Sequence, residues 1–122
     1  MLILKGKVVA GRKQGRNLGF PTINIAVPRT IKKDHWGIYF SLVKVGQKVY
    51  AGITHLGPVK TFGLKKPTCE THVLNFFGDL YNQPIEKKLI LKFREVQKFV
   101  SASHLKKQLT NDIGAAKKFF GL

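Results

Sequence analysis

Only one cysteine, Cys69, occurs among the 122 residues. That excludes an internal disulfide and any zinc site built from several thiolates, and a reducing compartment is the expected setting. No apolar run approaches the roughly 20 residues that cross a bilayer as a helix. The opening MLILKGKVV is too short for a signal peptide and lacks a small-residue cleavage site, so the expected location is the cytoplasm. The standard nucleotide cradles are also missing: there is no G-x-x-x-x-G-K-[ST] loop and no G-x-G-x-x-G after a strand. His35, His55, His72 and His104 show no metal-ligand spacing, and no Ser-His-acid or Cys-His set is suggested by position. With no linker, repeat or low-complexity segment, the chain is expected to be one domain over residues 1–122.

Acidic residues are scarce as well. Six Asp and Glu stand against 22 Lys and Arg, a formal net charge of +16. Such a field attracts polyanions: a nucleic acid, an anionic membrane or a nucleoside triphosphate. The cations are spread along the whole chain, however, so charge alone does not choose a partner. A solvated lysine-rich surface explains it equally.

What is present is a series of short apolar runs punctuated by Gly, Pro and Asn, as in all-β proteins. Residues 2–9 read as a strand and 20–26 as a short edge-like segment flanked by Pro21 and Pro28. Residues 37–45 and 48–55 read as a hairpin across Gly46-Gln47, where glycine at the first loop position suits a type II′ turn. Residues 68–77 and 85–96 form a further pair. Strict alternation puts Ile85, Lys87, Leu89, Leu91 and Phe93 on one face of the last strand, and Glu70 and His72 beside Leu74 and Phe76 on the strand before it. Glu70 is therefore a carboxylate on an apolar face, expected at a barrel mouth or against a cation. From a Ser101 N-cap, Leu105, Leu109, Ile113, Ala116 and Phe120 then fall at helical spacing. That helix is expected to cover an end or side of the barrel.

The densest chemistry lies at residues 11–24, GRKQGRNLGFPTIN. Its glycines allow backbone N–H groups to approach an anion, and Arg12, Lys13 and Arg16 surround them with charge. Thr22 and Asn24, two residues apart in an extended segment, project to one side and offer oxygen ligands suited to Mg²⁺. The segment reads as a polyphosphate-binding loop or as an ordinary basic turn.

GRNLGFPTIN resembles the signature of the riboflavin kinase family, whose Pro-Thr-Ala-Asn motif stands here as Pro21, Thr22, Ile23 and Asn24. GIYF at 37–40, YAGITHLG at 50–57, ETHVLNF at 70–76, DLY at 79–81 and FREVQKF at 93–99 resemble further family segments in the same order. The resemblance covers essentially the whole chain. It implies a mainly β fold, a six-stranded antiparallel Greek-key β-barrel with a C-terminal α-helix. It also implies transfer of the γ-phosphate of ATP to the 5′-hydroxyl of riboflavin, giving FMN and ADP. By the same resemblance, Glu70 would be the general base, and Thr22 and Asn24 would hold Mg²⁺ and the terminal phosphates. The loop with Gly11, Arg12, Gly15, Arg16, Gly19, Phe20 and Pro21 would bind the nucleotide. Arg94 and Phe99 would lie near the flavin, Phe99 serving equally well as a helix anchor.

The sequence departs from the family at His55-Leu56-Gly57 in place of N-I-G, Lys60-Thr61-Phe62 in place of P-T-F, Arg94-Glu95-Val96 in place of R-x-E, and Val100 in place of an aspartate. None of these changes falls on Glu70, Thr22 or Asn24; they bear on contacts of the flavin-side flap, which FREVQKF at 93–99 resembles. In many bacteria this domain follows an adenylyltransferase that makes FAD. No such domain is among these residues, so FMN is the expected product, from a monomer or one domain of a bifunctional FAD synthetase. Two other readings are a small basic β-barrel that binds nucleic acid, with Trp36, Tyr39 and Tyr50 stacking on bases, and a flavin-binding relative without catalysis.

Overall fold

The computed structural model describes residues 1–10, 22–76 and 78–122. Its strands are β1 (Leu2–Lys7), β2 (Ile23–Ile25), β3 (Gly37–Val45), β4 (Lys48–Gly57), β5 (Thr68–Val73) and β6 (Pro84–Arg94). All neighbours pair antiparallel in the order β1-β6-β3-β4-β5-β2. Because β6 returns beside β3 after the β3-β4-β5 meander, the topology is a Greek key. The sheet curls into a half-barrel whose edge strands approach at a single antiparallel bridge, Val9 to Asn24. A helix, α1 (Ala102–Phe120), follows.

The hairpin forms as its turn chemistry demands. Gly46 has φ of 60° while Gln47 is not in the positive-φ region, the combination of a type II′ turn. β5 stops at Val73, short of the expected residue 77, because Asn75 takes φ of 54° and turns the chain out of the sheet. Phe76 consequently leaves the Glu70 face and packs its ring 5.1 Å from Tyr50.

Two apolar cores result. Tyr39, Val43, Leu56, Cys69, Val73 and Leu89 fill the barrel interior. Ile38, Phe40, Ile53 and Leu74 project from the outer face and meet Ala116 and Ile113 of α1. Burial of both faces of β3 follows from this double layer. The helix therefore covers a side of the barrel rather than its end.

Strict alternation fails on β6. Register shifts opposite Phe40/Ser41 and Ile38/Tyr39 bring Leu91 opposite Phe40 and Lys92 opposite Tyr39. Leu91 and Phe93 thus depart from the interior line of Ile85, Lys87 and Leu89, and Phe93 stacks on Phe40 at 4.7 Å. Each extra residue at a bulge inverts the faces beyond it. The helix begins where expected: the Ser101 hydroxyl accepts from His104 N–H at 3.2 Å. It ends at Gly121, whose φ of 71° permits a left-handed cap after Lys117 and Lys118.

Candidate active site

β5 is flanked by β4 and β2, and the register sets His55 and Asn24 on either side of Glu70. Directly opposed residues share a face, so all three lie on the outer surface of the sheet. Glu70 is only 8% exposed. It borders a cleft that opens to solvent and also takes in Thr22, His55, His72, Arg94 and Phe99. Ile38 and Ile53 form its floor; Leu105, Leu109 and Ile113 of α1 and Phe62 form its walls. Apolar walls around a few polar groups are the usual makings of a small-molecule site.

Thr22, Glu70, Arg94 and Phe99, assigned from sequence to metal, proton transfer and flavin, are thereby brought to one cleft. Asn24 lies beside it, 7% exposed, and lines a second cleft whose other walls include Ala10, Pro28, Arg29, Lys66 and Thr68. Gly11, Arg12, Gly15, Arg16, Gly19, Phe20 and Pro21 lie outside the described residues, which resume at Thr22.

Arg94 is more committed than the sequence suggested. Its Nε donates to Asp112 Oδ1 at 3.1 Å and its Nη2 donates to Oδ2 at 2.7 Å. Gln108 Nε2 adds a bond to Oδ1 at 2.8 Å, and Asp112 is fully buried. The guanidinium carbon also lies 5.7 Å over the Phe99 ring, a cation–π distance. Phe99 N–H donates to the Thr61 hydroxyl at 3.0 Å, tying the flap to the 60–62 turn. Arg94 thus joins β6, α1 and the flap at the cleft's edge.

Asp112 is not among the apolar residues whose helical spacing marks the α1 stripe. It sits three residues after Leu109 and four before Ala116, on the same stripe. In a chain with six acids, one on an apolar helix face is a detectable signal.

His55 replaces a family asparagine at the cleft wall. Its Nε2 faces the carbonyls of Gly57 at 3.1 Å and Pro58 at 3.2 Å. Carbonyls only accept, so Nε2 carries the proton and neutral Nδ1 is left as an acceptor. Burial, with nearby Arg94 assisting, pushes its pKa down to about 4 against the two carbonyl bonds. The unfolded side chain titrates near 6.5. Below that value the unfolded chain takes up a proton that the folded one refuses. His55's contribution is present above pH 6.5 and is lost as pH falls toward about 4. A His55→Asn variant is expected to lose less stability than the parent across that window, measured by urea unfolding at successive pH values.

Among the described residues no group of three His, Cys, Asp or Glu stands ready to hold a metal. The oxygens of Thr22 and Asn24 nevertheless suit a hard cation that retains waters and phosphate oxygens. No helix among the described residues is long and apolar enough to cross a membrane.

A six-stranded Greek-key half-barrel with a carboxylate in a helix-covered cleft defines a small-molecule enzyme domain. Residues 1–120 match the riboflavin kinase family, and the chain belongs to it. It is 38% identical over 117 residues to the trifunctional protein RibF/MnmA of Mycoplasmoides gallisepticum, covering 96% of this chain and 18% of the relative. It is 36% identical over 123 residues to the RNA-binding riboflavin kinase RibR of Bacillus subtilis, covering all of this chain and 53% of that one. The chain thus spans between about a fifth and about half the length of these relatives. In solved structures, a Streptococcus pneumoniae protein described as a macrolide-efflux protein superposes with a TM-score of 0.80 at 26% identity, over 95% of this chain and 38% of that one. The riboflavin kinase of Trypanosoma brucei shares the fold, with a TM-score of 0.70 at 21% identity over 98% of this chain and 76% of that one.

Proposed function

We propose that the chain transfers the γ-phosphate of ATP to the 5′-hydroxyl of riboflavin, releasing FMN and ADP. The observation that carries this reading is the position of Glu70, a nearly buried carboxylate between an apolar cleft and the Thr22–Asn24 strand. The isoalloxazine ring fits the cleft between α1 and the flap, where Phe99, Phe62 and Leu109 offer apolar contact. The ribityl chain then runs toward Glu70. Its carboxylate takes the 5′-hydroxyl proton as that oxygen bonds to the γ-phosphorus and the bond to the ADP oxygen breaks.

ATP belongs in the second cleft, which Arg29 and Lys66 border, with its phosphates directed toward Asn24. Gly11, Arg12, Gly15, Arg16, Gly19, Phe20 and Pro21, outside the described residues, would bind those phosphates. Thr22 and Asn24 would hold Mg²⁺, which neutralises phosphate charge when bound. Arg94, engaged by Asp112, would serve the flavin by steadying Phe99 and the helix wall.

The site uses the chain as an FMN-forming unit, either a monomer or one domain of a longer flavin enzyme. We place it in the cytoplasm on its single, buried, free cysteine. The dispersed charge favours no nucleic-acid face. Incubated with riboflavin, ATP and Mg²⁺, the protein is expected to form FMN, seen by chromatography, and EDTA is expected to abolish it. Absence of FMN with a folded protein would overturn the reading.

A further inference from the structure

Lys87 lies on the barrel's interior face, its neighbours in register being Leu4 on β1 and Val43 on β3. It is fully buried, which lysine almost never is without compensation. Its Nζ crosses the barrel and donates to the carbonyls of Ile23 at 3.0 Å and Cys69 at 3.1 Å. Cys69 Sγ is 3.8 Å away.

The two acceptors are informative. Ile23 lies between Thr22 and Asn24, and Cys69 immediately precedes Glu70. They belong to β2 and β5, the strands that carry these residues and whose register sets Asn24 opposite Glu70. β2 has only three residues and is an edge strand, joined to the other edge, among the described residues, by the Val9 bridge. A donor reaching it from β6 is therefore a third anchor, delivered from inside the barrel.

We propose that Lys87 is a positioning residue for phosphoryl transfer, holding the Thr22–Asn24 segment and Glu70 in fixed relation from behind. The proposal rests on the function given above, with Glu70 as base and Thr22 and Asn24 on the phosphate side. Lys87 itself touches no substrate, since the sheet separates it from the cleft.

The local chemistry suits a structural clamp. Burial lowers the Lys87 pKa and raises that of Cys69. The Lys87 amine has N–H donors enough for both carbonyls and a further, weak contact to Cys69 Sγ. Losing those donors leaves two backbone carbonyls buried without them, and the edge strand is free to shift. Misplacement of reacting groups by about 1 Å costs about 100-fold in rate.

The test compares the parent with Lys87→Met, which keeps the stem and removes the donors. FMN formation is measured at saturating riboflavin and ATP, with Mg²⁺ titration, thermal unfolding and amide NMR spectra of both proteins without ligands. The proposal expects a folded variant with kcat reduced roughly 10- to 100-fold, a raised Mg²⁺ requirement and an unchanged KM for riboflavin. Amide signals of Thr22, Asn24 and Glu70 should shift while those of α1 stay in place. An unchanged kcat, or a loss confined to the riboflavin KM, would overturn it. If Lys87→Met does not fold, Lys87→Gln carries the test. Its shorter stem leaves its amide short of the two carbonyls across the barrel, so it is expected to retain fold, lose kcat and shift the same amides. Parental kcat and unmoved amides in that variant would equally overturn the proposal. FMN formation by the parent is scored separately: its absence sinks the kinase reading, whereas its presence with an indifferent Lys87 sinks only the clamp.

Discussion

Glu70→Gln is expected to lower kcat for FMN formation by about 10²–10⁴, the range associated with a positioned general base. Glutamine preserves the volume and one acceptor oxygen but does not accept the hydroxyl proton at neutral pH. Because the cleft walls are contributed by β3, β4, the flap and α1, its shape should survive the change. The riboflavin KM should therefore stay close to that of the parent, and the loss should fall on kcat. Steady-state kinetics with varied riboflavin at saturating ATP separates the two. A kcat equal to the parent's would remove Glu70 from the chemistry.

The largest expected effect on stability comes from the other buried carboxylate. Asp112 is fully enclosed and receives two Arg94 nitrogens and Gln108. Asp112→Ala leaves a largely buried guanidinium with its counter-charge gone, and breaking such a pair from one side costs about 3–5 kcal/mol. Replacing both partners, as Arg94→Met with Asp112→Leu, should recover much of that loss because no unpaired charge remains. Urea unfolding of the single and double variants measures the difference. The single variant should also bind riboflavin less tightly, since Leu105, Leu109 and Ile113 reach the cleft only while α1 is docked. A single variant as stable as the parent would mean that the pair contributes nothing net.

Much of the barrel was legible because its turns use residues with little choice. Gly46 takes the positive φ that its hairpin needs, and Ser101 caps the helix through the His104 amide. The end of β5 was misplaced because Asn75, unremarkable by composition, adopts a left-handed conformation. The β6 bulges were hidden by Leu89-Ile90-Leu91, three apolar residues in a row that satisfy either face. Glu70 could be singled out as a carboxylate on an apolar face, and the family-like segments placed Thr22, Arg94 and Phe99 beside it in expectation. The cleft that gathers them is tertiary, formed only when α1 and the 60–62 turn close over the sheet. Lys87 was noted on an apolar line yet passed over, since 22 cations make one more look like surface. Asp112 was hidden by the same habit on the helix.

Following the label from γ-³²P-ATP tests the central claim most directly. Incubated with riboflavin and Mg²⁺, the protein is predicted to move the label into FMN, with riboflavin consumed in equal amount and unlabelled ADP released. Label appearing only in inorganic phosphate, with riboflavin untouched, would contradict the account by making water rather than the flavin hydroxyl the acceptor.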